Sequence, residues 1–393
     1  MIIPCNITTY LKMFTRTISK FIKSSKKSIL LLGPRQVGKS TLIKSLSPAL
    51  KINLALEDTF LDFASNPKEL TDKLSQVKYQ TVFIDEIQRL PGLLNTIQAI
   101  LDDSKKPLKF YLTGSSARKL KRGKANLLPG RIHTYYLFPL TAKELNYELD
   151  LHEVLSTGSL PGILTEKEKK EKYKTLRSYA SVYLKEEIQA EALTKNIEGF
   201  SRFLFVVAAE AGKFLDISKI SREARLPWQT TLRYFEILED TLIIQRCESF
   251  SKSERKRLVQ CPRFFFFDIG VLNALLGNFN LSPDRIGILF EHLIFNQIVH
   301  SAAALDKDIR ISSYRTGHGA EIDFIVELEG EVYAIEAKAS RNIGLSDLRG
   351  FQSFKEFYKK PHKCYVAYLG DSAKKINGIT ILPWIELIKE LDL

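Results

Sequence analysis

One stretch constrains this chain more than any other: Gly33-Pro34-Arg35-Gln36-Val37-Gly38-Lys39-Ser40, directly after the apolar run Ile29-Leu30-Leu31-Leu32. It fits the G-x-x-x-x-G-K-[ST] pattern of a phosphate-binding loop. Gly33 and Gly38 let the backbone curl so that its N–H groups face inward on a polyphosphate. Lys39 supplies a point charge for the β- and γ-phosphates, and the Ser40 hydroxyl is placed to ligate Mg²⁺. Thr41-Leu42-Ile43-Lys44-Ser45-Leu46 reads as a helix that turns its positive end toward the anion. The expected ligand is ATP with Mg²⁺, and the expected contacts are Gly33, Pro34, Arg35, Gln36, Val37, Gly38, Lys39, Ser40 and Thr41.

A strand, a loop and a helix in this order predict an α/β core with a parallel sheet. Further strand and helix signals follow: a strand at Ile52-Asn53-Leu54-Ala55-Leu56 and a helix from Pro67 to Leu74. Before the loop, Phe14, Ile18, Phe21 and Ile22 share one face of an expected amphipathic helix reaching about Lys27. Thr81-Val82-Phe83-Ile84-Asp85-Glu86 is an apolar run ending in two acids, the Walker B arrangement. Such a strand delivers carboxylates at its C-terminal end. Asp85 is expected in the Mg²⁺ shell, and Glu86 is expected to orient the attacking water. The next strand, Leu108 to Leu112, ends in Thr113-Gly114-Ser115-Ser116, where Thr113 and Ser115 are candidate sensors of the γ-phosphate. Arg118 and Arg131 are candidates for the arginine that reaches that phosphate, from the same chain or from a neighbouring subunit. The basic run Arg118 to Lys124 reads equally as a solvated loop or as a contact to a phosphate backbone.

At 393 residues the chain exceeds one ordinary domain. A hydrophobic content of 45% supports packed cores and argues against disorder. The net charge of +13 favours a polyanionic partner, most simply DNA. Cys5, Cys247, Cys261 and Cys364 are scattered and form no C-x-x-C pair, so neither a disulfide framework nor a zinc site is indicated. No apolar run approaches the ~18 residues of a membrane span, and none makes a signal-peptide core. A reducing cytoplasm is the expected location.

The combination of residues 32–40, Phe-Ile-Asp-Glu-Ile-Gln (83–88), Leu-Thr-Gly-Ser-Ser (112–116), Leu-Pro-Gly-Arg (128–131) and Leu-Phe-Pro-Leu (137–140) resembles the prokaryotic AAA+ ATPases that carry a C-terminal domain of unknown function. The resemblance implies three parts. These are an AAA+-like P-loop core over 1–150, a helical and winged-helix-like middle over 151–262, and a restriction-endonuclease-like α/β domain over 263–393. It also implies that a homo-oligomer is possible. The chain departs from the family at Ser159, in a Gly-Gly-x-Pro position, and at Lys185-Glu186-Glu187-Ile188, where an Arg-Asp pair is usual. Ser40 stands where Thr is common and is chemically equivalent for Mg²⁺.

In the middle, Ile163 to Asn196 reads as a lid or linker helix pair. Ile217 to Ala224, a turn at Arg225-Leu226-Pro227, and Trp228 to Thr241 resemble a helix–turn–helix. Thr241 to Arg246 and a return strand near Arg263 to Phe267 would form a wing with the basic tip Lys252 to Arg257. A basic tip suits phosphate contact, whereas Glu236, Glu239 and Asp240 would repel a groove; DNA contact and a structural role both stand.

Toward the C-terminus, Arg285 to Ala302 reads as a helix with one acid, Glu291, in an apolar setting. Glu321 to Glu327 and Val332 to Lys338 are expected to pair around a turn at Glu329-Gly330. That register sets Asp323 opposite Glu336 and Glu321 opposite Lys338, with Ile322, Phe324, Val326, Tyr333, Ile335 and Ala337 on the other face. A one-residue slip would mix the faces. An Asp followed by Glu-x-Lys on the next strand resembles the PD-(D/E)xK nucleases, in which Ile322 stands for the signature proline. There Asp323 and Glu336 would hold Mg²⁺ and Lys338 would polarise the water, and the resemblance assigns Glu291 as the accessory metal ligand. The same residues also read as a structural charge cluster without catalysis. A helix over Leu345–Tyr358 and a strand over Lys363–Tyr368 are expected to complete this domain.

Overall fold

A computed structural model of the chain describes residues 14–103, 108–115, 128–183, 196–251 and 262–393. The first layer is built on β1 (Ser28–Leu32), every residue of which is buried. Ile29 and Leu31 pack with Ile18 and Ile22 around α1 (Ser19–Ser24) and with Leu42 and Ile43 of α2 (Lys39–Ser45). Leu30 and Leu32 pack on the opposite side with α3 (Glu57–Ser65), α4 (Glu69–Gln76) and α5 (Leu93–Asp103). Burial on both faces is what a parallel strand requires, and it explains the unbroken apolar run.

With β2 (Leu50–Asn53), β3 (Thr81–Asp85), β4 (Lys109–Gly114) and β5 (Ile132–Tyr136), the sheet runs β2-β3-β4-β1-β5, all pairs parallel. β4 therefore lies between the strand that feeds the phosphate loop and the strand that ends in Asp85. The C-terminal ends of β1, β3 and β4 share one edge, the edge where such sheets bind ligands.

Three local expectations shift. β2 stops at Asn53 rather than running to Leu56, because Leu54 N–H turns to the Asp85 carbonyl and a new helix starts at Glu57. The second expected helix lies two residues later, at Glu69–Gln76. α1 is shorter than expected: Ser25 is already extended, since the chain must enter β1 three residues on.

The middle holds α6 (Leu151–Thr157), α7 (Pro161–Thr165), α8 (Lys169–Ser178), a π-helical turn at Tyr179–Tyr183, α9 (Ile197–Ala209), α10 (Ile217–Ala224) and α11 (Trp228–Asp240). Asp216 caps α10 by accepting from Lys219 N–H at 2.9 Å, and Arg225, at φ 54°, makes the turn into α11. β6 (Ile244–Ser249) and β7 (Arg263–Phe266) then pair antiparallel. This hairpin does not stand apart: β6 also pairs with β8 (Ile309–Arg315) through Glu248 and Ser312. The hairpin expected as a wing is thus the outer pair of the C-terminal sheet. The expected basic tip at 252–257, Lys185 to Ile188, Arg118 and Ser116 lie outside the described residues.

The second sheet contains β9 (Glu321–Leu328), β10 (Glu331–Lys338), β11 (Lys363–Tyr368), β12 (Lys374–Ile376) and β13 (Ile379–Pro383), in the order β12-β13-β11-β10-β9-β8-β6-β7. Helices α12 (Ile269–Leu275), α13 (Pro283–Ala304), α14 (Arg349–Tyr358) and α15 (Trp384–Glu390) accompany it. The β9–β10 register pairs Leu328 with Glu331 and Phe324 with Ile335, as expected. Glu329 and Gly330 turn at φ 50° and 85°, the left-handed pair a two-residue hairpin favours. Phe324, Val326, Tyr333, Ile335 and Ala337 pack in one core with Phe290 and Phe295 of α13.

Ile322 departs from the expected face. It joins Ile325 and Ala334 under Phe351 and Phe354 of α14. The neighbouring β8 shifts register between Ser312 and Tyr314, and Gly350 lets α14 approach the Glu321 carbonyl so closely that a side chain there would collide. Both faces of this sheet are therefore covered, and the acids sit within a core rather than on an open ledge. No helix among the described residues is long and apolar enough to cross a membrane.

Candidate functional site

The loop between β1 and α2 curls through two left-handed residues, Gln36 at φ 63° and Gly38 at φ 94°. A side chain at Gly33 would run into the Leu137 carbonyl, so glycine is required there for close packing. Lys39 is buried, and its ammonium donates to the carbonyls of Gly33 at 2.8 Å and Pro34 at 2.7 Å, from beneath the curl. Ser40 Oγ donates to Asp85 Oδ1 at 2.9 Å, and Thr113 Oγ1 donates to the same oxygen at 2.5 Å. Three strands thus bring Ser40, Asp85 and Thr113 to one point, with Lys39 beside Ser40 at the start of α2. Thr41 lies exposed in the first turn of α2.

The Ser40 hydroxyl and the Asp85 carboxylate are hard oxygen donors facing one another, which fits Mg²⁺ bound mainly through phosphates and water. When bound, the ion would neutralise charge between the β- and γ-phosphates. Glu86 follows at φ 58°, a left-handed turn that takes its side chain off the strand line. Gln88 Nε2 donates to Glu86 Oε2 and also to Ser115 Oγ at 3.1 Å. Gln88 Oε1 is buried with no partner among the described residues. Sequence reading missed Gln88, although it lies two residues beyond Glu86 in the quoted motif.

Two further residues grip the loop. Arg16 is buried and donates to the Val37 carbonyl at 2.8 Å and the Phe138 carbonyl at 2.6 Å, while its Nε meets Glu144 at 3.1 Å. Tyr179, in the π-helical turn, donates to the Arg35 carbonyl at 3.3 Å. Neither carried a signal in the sequence, since each acts through backbone atoms far along the chain.

Arg131 is not brought to this point. It precedes β5, at the edge opposite the loop, and five residues of strand at ~3.3 Å each separate the two edges by roughly 16 Å. Its guanidinium is held by Asp102 at 2.5 and 2.9 Å. Within its own chain Arg131 does not reach the loop, which corrects the intramolecular expectation.

The C-terminal cluster is a second convergence with different chemistry. Asp323 and Glu336 meet as the register requires, and Asp323 Oδ2 accepts from Ala337 N–H at 2.8 Å. Lys338 Nζ lies 2.9 Å from Glu336 Oε2. Arg263, on β7, forms an ion pair with Glu291 on α13 and lies 3.9 Å from Asp323 Oδ1. It is buried and ringed by Phe214, Phe265 and Phe324. Burial and the neighbouring Asp323 push the Glu291 carboxyl up to about 7 and hold Glu336 well above the usual carboxylate range. Burial opposes the charge on Lys338, but Glu336 and Asp323 outweigh it and raise its pKa.

Among the described residues no group of three or more His, Cys, Asp or Glu is set to hold a metal ion. The guanidinium of Arg263 already neutralises Glu291 and faces Asp323. In this arrangement the expected ligand set of Glu291, Asp323 and Glu336 does not fit a divalent cation. Arg263 was read in the sequence only as the start of a return strand.

Comparison with known proteins follows this division. A family model described as an AAA domain matches residues 25–146, one for a domain of unknown function, DUF8612, matches 148–282, and another, DUF4143, matches 286–387. Residues 25–146 are thus similar to an AAA domain, and their parallel sheet and phosphate loop are those of a P-loop nucleotide-binding core. Over most of its length the chain is similar to two uncharacterized proteins, from Mycobacterium bovis and Mycobacterium tuberculosis. Each is 26% identical over 327 residues, which is 81% of this chain and 71% of the relative. A solved signal-transduction ATPase with a tetratricopeptide-repeat sensor, from Pyrococcus horikoshii, aligns at 12% identity and a TM-score of 0.28. The alignment covers 74% of this chain and 47% of that one.

Proposed function

We propose that this chain is a Mg²⁺-dependent ATP hydrolase that works with DNA in the cytoplasm, with its nucleotide site at Gly33–Thr41. The observation that carries the reading is the convergence of Ser40 and Thr113 on Asp85 above a buried Lys39. In it, Lys39 holds the terminal phosphates, Ser40 and Asp85 hold Mg²⁺, and Thr113 reads the γ-phosphate. Glu86, once released by Gln88, polarises the attacking water. The arginine for the γ-phosphate is then Arg131 from a second copy of the chain, or Arg118 from the same chain or a neighbouring one. Turnover measured with Lys39→Ala and with Glu86→Gln tests this. Each substitution is expected to lower the rate by about 10²-fold or more. Rates equal to the parent's would overturn hydrolysis by this site and leave a nucleotide-held switch.

DNA action is supported by the +13 charge and by the α10–α11 helix pair with its following hairpin, read as a winged helix. For the C-terminal domain, read as having the PD-(D/E)xK fold, a second reading is favoured by one observation: Arg263 between Glu291 and Asp323. The domain is then a binding module in which Asp323, Glu336 and Lys338 keep their positions and perform no cleavage. Duplex, branched and single-stranded DNA incubated with Mg²⁺ or Mn²⁺ should stay intact. Cleavage lost in Asp323→Ala would restore the nuclease reading.

A further inference from the structure

We infer that Arg16 and Tyr179 are positioning residues of the phosphate loop, each aiming one backbone N–H at the polyphosphate; this rests on the ATP reading above. In a planar trans peptide the carbonyl and the following N–H point to opposite sides. Arg16 Nη1 holds the Val37 carbonyl on the outside of the loop at 2.8 Å, so the Gly38 N–H of the same peptide faces the other way. Tyr179 Oη holds the Arg35 carbonyl at 3.3 Å, and this turns the Gln36 N–H likewise. The two peptides alternate with the left-handed residues Gln36 and Gly38, which curl the loop. For Gln36 such a conformation is strained, so an outside restraint helps to keep the cradle formed.

The Arg16 restraint is itself fixed. Arg16 is locked by the buried Glu144, which also accepts from Thr17 N–H at 2.9 Å. Its second terminal nitrogen takes the Phe138 carbonyl at 2.6 Å. The Phe138 ring stacks on His300 of α13 with centroids 4.5 Å apart and planes 4° off parallel. Gln297, on the same helix, accepts from Ala142 N–H at 2.8 Å. Arg16 thus seats the loop on the helix that carries Glu291, while Tyr179 seats it on the helical middle. Both side chains reach the loop through its backbone carbonyls, and neither lies in the loop's own sequence pattern.

The test is calorimetric titration of the full chain with a non-hydrolysable ATP analogue and Mg²⁺, alongside the ligand-free melting midpoint. Tyr179→Phe deletes one hydroxyl and keeps the buried ring. It should weaken binding about fivefold, the worth of one ordinary hydrogen bond, with the ligand-free midpoint lowered by no more than a few degrees. Arg16→Lys keeps the charge against Glu144 but loses the fork, and should weaken binding about tenfold or more. Should Arg16→Lys fail to fold, Tyr179→Phe decides alone. Parent-like affinity in the variants that fold overturns this inference while the parent's own binding leaves the ATP reading standing. A parent that does not bind the analogue overturns both.

Discussion

Two buried strand aspartates of this molecule, Asp85 and Asp323, invite comparison. Asp85 closes β3 and Asp323 lies near the start of β9; both are buried, and each meets side chains from neighbouring elements. Asp85 meets hydroxyls, from Ser40 and Thr113. Asp323 meets charged groups: Arg263 on one side, and Glu336 with its Lys338 on the other. A hydroxyl donates a proton to a carboxylate and can rotate away to offer its lone pair to an incoming ion. A guanidinium cannot be deprotonated and has no acceptor, so it occupies a cation's place permanently. The same residue type on a buried strand therefore suits the proposed metal–nucleotide complex at one site and is already paired with a cation at the other.

The sharpest way to break this contrast is to remove each aspartate in turn. Asp85→Ala should lower ATP turnover by about 10²–10³-fold, the scale of losing a main electrostatic stabiliser. Asp323→Ala in the same assay should leave the per-chain rate within about twofold. Equal losses would mean that the two regions form one working unit, and the contrast would collapse. Arg263→Gln probes the other side. Removing one partner of a buried ion pair leaves uncompensated charge, and typically costs about 3–5 kcal/mol. Part of that will be relieved because Glu291, already pushed up to about 7, can take a proton instead. Denaturant unfolding should show the loss, and binding of Mn²⁺ followed by its paramagnetic signal should rise once the guanidinium is gone. A variant as stable as the parent would show that Arg263 is not the countercharge.

The contrast also explains what could be read in advance. The phosphate loop was legible because its chemistry needs fixed residues at fixed local spacing. The β9–β10 register was legible because a two-residue turn and period-two burial allow one alignment. Ile322 was misread because its face depends on a register shift in β8 and on the approach of α14 at Gly350, neither of which is local to its strand. Arg263, Arg16, Gln88 and Tyr179 matter through partners 2 to 144 residues away along the chain, several of them backbone carbonyls that every residue type supplies. The expected wing was found as a hairpin, yet its membership in the larger sheet rests on two residues of β6 meeting β8, a pairing that no short pattern announces.

The smallest expected effect concerns Arg131, and it bears on how the nucleotide site is completed. Its pairing with Asp102 at the far edge of the first sheet holds it away from its own loop. Any contribution to the γ-phosphate must then arise between copies of the chain, and it must vanish on dilution. In a protein dilute enough to be monomeric, Arg131→Ala should turn over ATP at the parent's rate, within experimental scatter. At concentrations where the parent's per-chain rate rises, the variant should fail to follow. If the variant instead lost activity equally at every dilution, Arg131 would act within its own subunit. The Asp102 pair would then have to open, and the far edge of the sheet would have to be counted as part of the site.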